Sequence, residues 1–136
     1  MTKLSSIFSI AVFVAADQAI KFFLSLQNYR IVKNSGLPFA INLPGFFDLY
    51  FVTLCLVVFI SLYLFYFRKT SMGFALILGG AFSNLFDRIY FGYVRDFIDI
   101  GFATLNLADI MIWVGVLLLF KSQIPNTKSQ TNSKIQ

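Results

Sequence analysis

The chain has 136 residues, 58% of them hydrophobic and only 12% charged, with a mean hydropathy of +0.78 and a net charge of +5. A soluble domain normally carries charge on about a quarter of its residues, so lipid is expected over much of this surface, and a basic excess beside lipid points to topology and anionic headgroups rather than to nucleic acid. With no histidine and one cysteine, Cys55, a His/Cys zinc site, a Ser-His-Asp triad and an intrachain disulfide are all excluded.

Residues 1–121 read as one domain, followed by a polar tail over 122–136 that is expected to be disordered. The first apolar stretch, 4–26, is interrupted by Asp17 and Lys21. It has no convincing small-x-small cleavage site followed by a soluble domain, so it reads as a retained helix. Asp17 and Lys21 are four residues apart and share a helix face. They read either as a self-neutralising pair or as groups that orient a substrate or a loop. Residues 29–33 have strand character, Asn34-Ser35-Gly36 is a turn signal, and 39–41 would return as a second strand, giving a small hairpin on the membrane. Gly45-Phe46-Phe47 would insert shallowly beyond it.

The second stretch, 49–67, is 19 residues without a charge, enough at about 1.5 Å per residue to cross a ~30 Å hydrocarbon core. Cys55 lies mid-run and is expected to pack as a small apolar residue. The third stretch, 70–86, contains Gly79-Gly80-Ala81, which permits close helix packing; no Lys-Ser/Thr follows, as a phosphate loop would require. Asn84 and Arg88 share a face, and Asp87-Arg88 reads as either an interface anchor or a functional pair, with Arg88 bracing Asp87. The fourth stretch, 105–120, takes Asp109 to about one turn inside its start, where a helix dipole favours a carboxylate and Asn106 can cap.

Four spans put Lys3, the Arg68-Lys69 turn and Lys121, Lys128 and Lys134 on one side, against Arg30, Lys33, Arg88 and Arg95 on the other. The bias makes both termini cytoplasmic and places 27–48 and 87–104 outside.

All six acidic residues are aspartates: Asp17, Asp48, Asp87, Asp96, Asp99 and Asp109. In this topology Asp96 and Asp109 reach the same outer surface. Two carboxylates sharing a proton divide their roles, one activating water and one protonating a leaving amine, and the pair titrates as a unit. Spacing alone does not choose Asp96 over Asp99. It also leaves open the plainer reading of a helix-start anion beside a surface charge.

At these residues the sequence resembles the lipoprotein signal peptidases, or signal peptidase II family. Asp17-Gln18-Ala19-Ile20-Lys21 is similar to the family's first-helix Asp-Gln-x-x-Lys, and Asn34, Gly36 and Phe39 to its Asn-x-Gly-x-x-Phe loop. Gly79-Gly80-Ala81, Asn84, Asp87-Arg88, Gly92, Val94 and Asp96-Phe97-Ile98-Asp99 follow its long third-helix signature, and Asn106, Ala108 and Asp109 its Asn-x-Ala-Asp. The resemblance implies an all-α membrane protein of four transmembrane helices with a small extracytoplasmic β-layer, in the bacterial inner membrane. It implies an aspartyl endopeptidase with Asp96 and Asp109 as catalytic dyad and Asp17, Lys21, Asn34, Gly36, Asn84, Asp87, Arg88, Asn106 and Ala108 in support. The substrate would be a diacylglyceryl prolipoprotein, met in membrane lipid and cut just before its lipidated cysteine, with no metal or other cofactor. The sequence departs from the pattern at Pro38, Leu105 and Ile110, and the stretch 100–105 is short for a flap. Two other readings stand beside this one. The first is a proton-coupled carrier or channel using Asp17, Lys21 and Asp109. The second is a non-catalytic lipoprotein-binding helper.

Overall fold

The computed structural model describes residues 3–35, 47–66 and 71–123. Gly36, Pro38, Phe39 and the strand expected at 39–41 lie outside them, as do Gly45-Phe46, the Arg68-Lys69 turn and the tail from 124. Among the described residues there are four helices: α1 (Lys3–Leu26), α2 (Phe47–Tyr66), α3 (Met72–Phe91) and α4 (Leu107–Gln123). Four short strands join them: β1 (Val32–Asn34), β2 (Val94–Asp96), β3 (Ile98–Asp99) and β4 (Thr104–Leu105). The fold is therefore mostly helical with two small antiparallel sheets, β1–β2 and β3–β4.

α3 is the central helix, packed most extensively on α4 and then on α1, with α2 on a third side. It begins at Ser71, whose hydroxyl accepts from Phe74 N at 3.2 Å as an N-cap. The apolar pattern stops at Asp87-Arg88, yet the helix continues one turn further. Asp87 is neutralised inside the bundle, so its charge does not end the helix. Gly92, with φ 78°, does so in a left-handed C-cap, its N–H bonded to Arg88 O.

Small residues set the α3–α4 distance. A Cβ on Gly73 would lie 2.7 Å from Gly115 O, and one on Gly115 would lie 2.6 Å from Gly73 O. A Cβ on Gly80 would strike Ala108 O and come within 2.8 Å of Ile112 Cγ1. On α1's side, a Cβ on Gly79 would meet Phe13 Cβ at 2.5 Å. Gly80→Ala gains up to about 1 kcal/mol of helix propensity, but the obstruction is backbone that cannot rotate away. The expected net result is a loss of about 1–3 kcal/mol, seen as a lower melting temperature in detergent, with α4's first turn displaced.

α2 joins through an aromatic cluster. Tyr63 stacks on Phe74 with centroids 3.9 Å apart, beside Leu56 and Leu78, and its hydroxyl lies 3.0 Å from Ser71 Oγ. Cys55, expected among apolar packing, instead lies exposed on α2, because that helix offers α3 only one face.

The polarity of the described residues is inverted. Leu4, Phe65 and Phe120 are 78%, 73% and 69% exposed, while the largest fully buried side chains are Lys21, Asn106, Asp17, Asp87, Asp96 and Ser83, all polar. Leu4–Leu26 is a stretch long and apolar enough to cross a membrane, and Leu49–Phe65 is a shorter apolar run.

Candidate active site

The buried polar side chains gather where the C-terminal ends of α1 and α3 meet the start of α4 and strands β1 and β2. The strand expected over 29–33 is observed as Val32–Asn34 and pairs with β2, Val32 opposite Asp96 and Asn34 opposite Val94, while its expected hairpin partner at 39–41 lies outside the described residues. This pairing matters because alternation along a strand carries Asn34 and Asp96 to one face. Asn34 Nδ2 donates to Asp96 Oδ2 at 2.9 Å, and Asn106 Nδ2 donates to Asp96 Oδ1 at 2.7 Å.

Asn106 also builds the second carboxylate. It caps α4, its Oδ1 accepting from Asp109 N at 3.0 Å, while Asp109 Oδ2 accepts from Asn106 N at 3.1 Å. This reciprocal cap fixes Asp109 on the first turn. Asn84 Nδ2 completes Asp109 by donating to Oδ1 at 2.9 Å. Each carboxylate oxygen of the pair thus receives one N–H from a neutral amide. A guanidinium or ammonium in direct contact would hold both carboxylates ionised; neutral donors orient them and still allow the pair to keep a proton.

The cations sit one layer back. Lys21 Nζ contacts Asp17 Oδ2 at 2.7 Å, Asp87 Oδ2 at 3.0 Å and Asn84 Oδ1 at 3.2 Å, which satisfies its three donors. Asn84 Oδ1 also accepts from Asn106 Nδ2 at 3.1 Å, so the lysine reaches the carboxylates only through amides. Asp17 takes a hydrogen bond from Ser83 Oγ at 2.6 Å and caps α4 from outside by accepting from Ala108 N at 3.0 Å. Ala108 has 0% exposure, and its role in this site is carried by its backbone N–H.

Nine residues singled out from the sequence therefore meet here: Asp17, Lys21, Asn34, Asn84, Asp87, Asp96, Asn106, Ala108 and Asp109. Gly36 lies outside the described residues. Asp99 stands apart on the β3–β4 hairpin, its Oδ1 accepting from Gly101 N at 2.8 Å as a turn cap. That hairpin closes tightly through Ile100 N to Ala103 O and Gly101 at φ 87°, consistent with the short 100–105 segment. The bracing expected of Arg88 falls to Arg95, whose Nη2 lies 2.8 Å from Asp87 Oδ1; Arg88 Nη1 reaches Asn84 O at 3.5 Å.

Three residues of the network received no role from sequence: Gln18, Ser83 and Arg95. Ser83 was findable, since it lies four residues before Asp87 on a face already holding Asn84. Gln18 stood within the first-helix motif without a role, and Arg95 carried no signal, because the contact between them joins segments 77 residues apart.

Burial pushes the Asp96 carboxyl above its ordinary value of 3.8; the Asn34 and Asn106 donors oppose this, the Asp109 charge adds to it, and Lys21 opposes it. The unfolded chain then gives up this proton first, so wild-type stability falls as pH rises through the window from 3.8 up to the raised folded value. Asp96→Asn has no such proton to lose. Its melting temperature relative to wild type is expected to climb as pH is raised through that window, which a thermal-shift series in detergent measures directly.

The described residues thus set a carboxylate pair held by amide donors, with an ion-pair layer behind it, inside a helical bundle. The signal peptidase (SPase) II family profile matches residues 9–124. A lipoprotein signal peptidase from Halothermothrix orenii is 43% identical over 110 residues, spanning 76% of this chain and 74% of that protein. One from Caldicellulosiruptor bescii is 40% identical over 108 residues, spanning 76% and 71%. Against that of Wigglesworthia glossinidia brevipalpis, identity is 42% over 73 residues, 46% of this chain and about half of that relative's length, 48%. A solved bacterial membrane enzyme shares the fold with a TM-score of 0.75 at 22% identity, over 91% of this chain and 95% of that one. The chain belongs to the signal peptidase II family, a family of proteases.

Proposed function

We propose that the protein is an aspartic endopeptidase of the bacterial cytoplasmic membrane. On this reading it removes signal peptides from diacylglyceryl-modified prolipoproteins by cutting just before the lipidated cysteine. Asp96 and Asp109 form the dyad: together they hold one proton, the ionised member draws a proton from water as it attacks the scissile carbonyl, and the protonated member delivers its proton to the departing amine. The observation that carries the reading is the sharing of Asn106 by the two carboxylates, whose hydrogen-bond donors among the described residues are all neutral amides.

The inverted polarity supports four membrane-spanning helices. In water, exposed Leu and Phe on this scale would be an aggregation liability, whereas in lipid it is the ordinary outer surface. With both termini cytoplasmic, the C-terminal ends of α1 and α3 and the start of α4 face outward, where a translocated signal peptide presents its cleavage site. A groove of about 670 Å³ runs beside β1 and β3, walled by Ile20, Leu24 and Phe97 and rimmed by Tyr29 and Arg30. Neither Asp96 nor Asp109 lines it, so it bears on the approach of a part-lipid, part-peptide substrate and not on the dyad's chemistry.

A carrier would need polar groups through the depth of the bundle. Among the described residues, the half away from the site holds Phe74, Ala75, Ile77, Leu78 and the Gly73–Gly115 contact, with hydroxyls such as Ser6 and Ser71 but no buried charge, which disfavours that reading. The test is incubation of the purified protein in detergent with a diacylglyceryl prolipoprotein and with its unmodified form. Mass spectrometry should find a mature product beginning at the lipidated cysteine, from the modified form only. If a verified folded protein cleaves neither form, the carrier or helper readings replace this one.

A further inference from the structure

Arg95 precedes Asp96 on β2 and points to the other side of the strand. Its Nη2 donates to Asp87 Oδ1 at 2.8 Å and to Gln18 Oε1 at 2.6 Å, and its Cζ lies 4.3 Å from the centre of the Phe91 ring. Its own backbone N–H donates to Asp87 Oδ2 at 3.1 Å. Asp87 therefore grips residue 95 twice, through main chain and side chain. Gln18 closes the clasp by donating from Nε2 to Asp87 Oδ1 at 3.0 Å and to Ser83 Oγ at 2.8 Å. Three elements, α1, α3 and β2, meet on one guanidinium that is itself buried at 8% exposure.

We propose that Arg95 is a positioning residue for Asp96, an inference that rests on Asp96 belonging to the catalytic dyad. β2 has only three residues, too few for its ladder with β1 to fix the strand, so the clasp one residue away sets where the Asp96 carboxylate stands relative to Asn106. Charge reinforces geometry. Asp87 lies in the last turns of α3, where the helix dipole disfavours an anion, and it shares Lys21 with Asp17. Arg95 brings the cations behind the dyad to two, against two carboxylates. Without it, the backing layer would carry an uncompensated negative charge against a pair that must itself ionise once. The planar guanidinium also stacks on Phe91, which an ammonium does less well.

The test compares wild type, Arg95→Met and Arg95→Lys in detergent, reading kcat and KM on a diacylglyceryl prolipoprotein together with amide hydrogen exchange. A displacement of about 1 Å at a reacting group can cost on the order of a hundredfold, so Arg95→Met is expected to lower kcat about ten- to a hundredfold with KM within about twofold. Exchange should quicken at residues 94–96 and stay unchanged in the α3–α4 contact. Arg95→Lys should recover part of kcat. Unchanged kcat in Arg95→Met would overturn the proposal. So would a uniform rise in exchange across the bundle with activity falling in step with the folded fraction, since that is the signature of a merely structural residue. If wild type itself does not cleave, the peptidase reading fails on its own, and exchange at 94–96 still decides the anchoring: no change there in Arg95→Met overturns it.

Discussion

Asp96→Asn and Asp109→Asn are each expected to reduce prolipoprotein cleavage to background while the protein still inserts and folds. General acid–base catalysis is worth about 10²–10⁴ per group, and the two carboxylates act on one proton, so losing either disables both roles. The double variant should therefore be no slower than either single one, the non-additivity that marks groups working as a unit. A gel-shift assay of lipidated substrate with all four proteins checks this. Cleavage by Asp96→Asn at the wild-type rate would remove Asp96 from the mechanism and redirect attention to Asp99. Folding is expected to survive with a modest loss of stability: the amide keeps the carboxylate's shape and burial already penalises the ionised Asp96, while its NH2 replaces one acceptor that met Asn34 or Asn106.

The second large effect falls on stability. Lys21 has 0% exposure and bridges Asp17 and Asp87, which also have 0% exposure. Lys21→Met removes the cation and leaves two buried carboxylates, of which Asp87 keeps Arg95 while Asp17 loses its ion pair with Lys21. Breaking a buried pair from one side costs about 3–5 kcal/mol, enough to lower the melting temperature sharply and to lose yield from the membrane. The diagnostic is the double variant Asp17→Asn/Lys21→Met. The amide introduced at position 17 still accepts from Ala108 N through its oxygen and can donate to Ser83 Oγ, and Asp87 keeps Arg95. The double variant should regain about half or more of the lost stability, a coupling that independent sites do not show. Equal melting temperatures for the single and double variants would mean that the lysine's role is packing of its aliphatic stem.

These effects differ in kind because the site has two layers. The carboxylates and their amide donors carry the proposed chemistry and cost stability; the ion-pair layer behind them holds α1, α3 and β2 together. Removing a carboxylate of the first layer is expected to be catalytically severe and structurally mild, and removing a cation of the second the reverse.

Much of this was legible in the amino-acid sequence. Sparse charge and long apolar runs dictate helices with lipid-suited exteriors, and the helix expected at 4–26 is observed over Lys3–Leu26. An i, i+4 Asp-Lys pair must share a face, and an Asn three residues before an Asp at a helix start caps it; Asp17–Lys21 and Asn106–Asp109 are local geometry of this sort. What local spacing could not carry was everything joining distant segments. That Asp96 and not Asp99 meets Asn34 depends on β2 pairing with β1, residues about sixty positions apart, and a period of two gives each strand residue a face but not a neighbour. The end of α3 beyond Asp87 depends on Lys21 and Arg95 arriving from elsewhere to neutralise that charge. The sequence by itself determined the helices, their lipid-suited surface and the aspartates available; only the tertiary structure decided which carboxylates share Asn106 and which cations stand behind them, because burial and long-range pairing, not composition, set the energy of a charge.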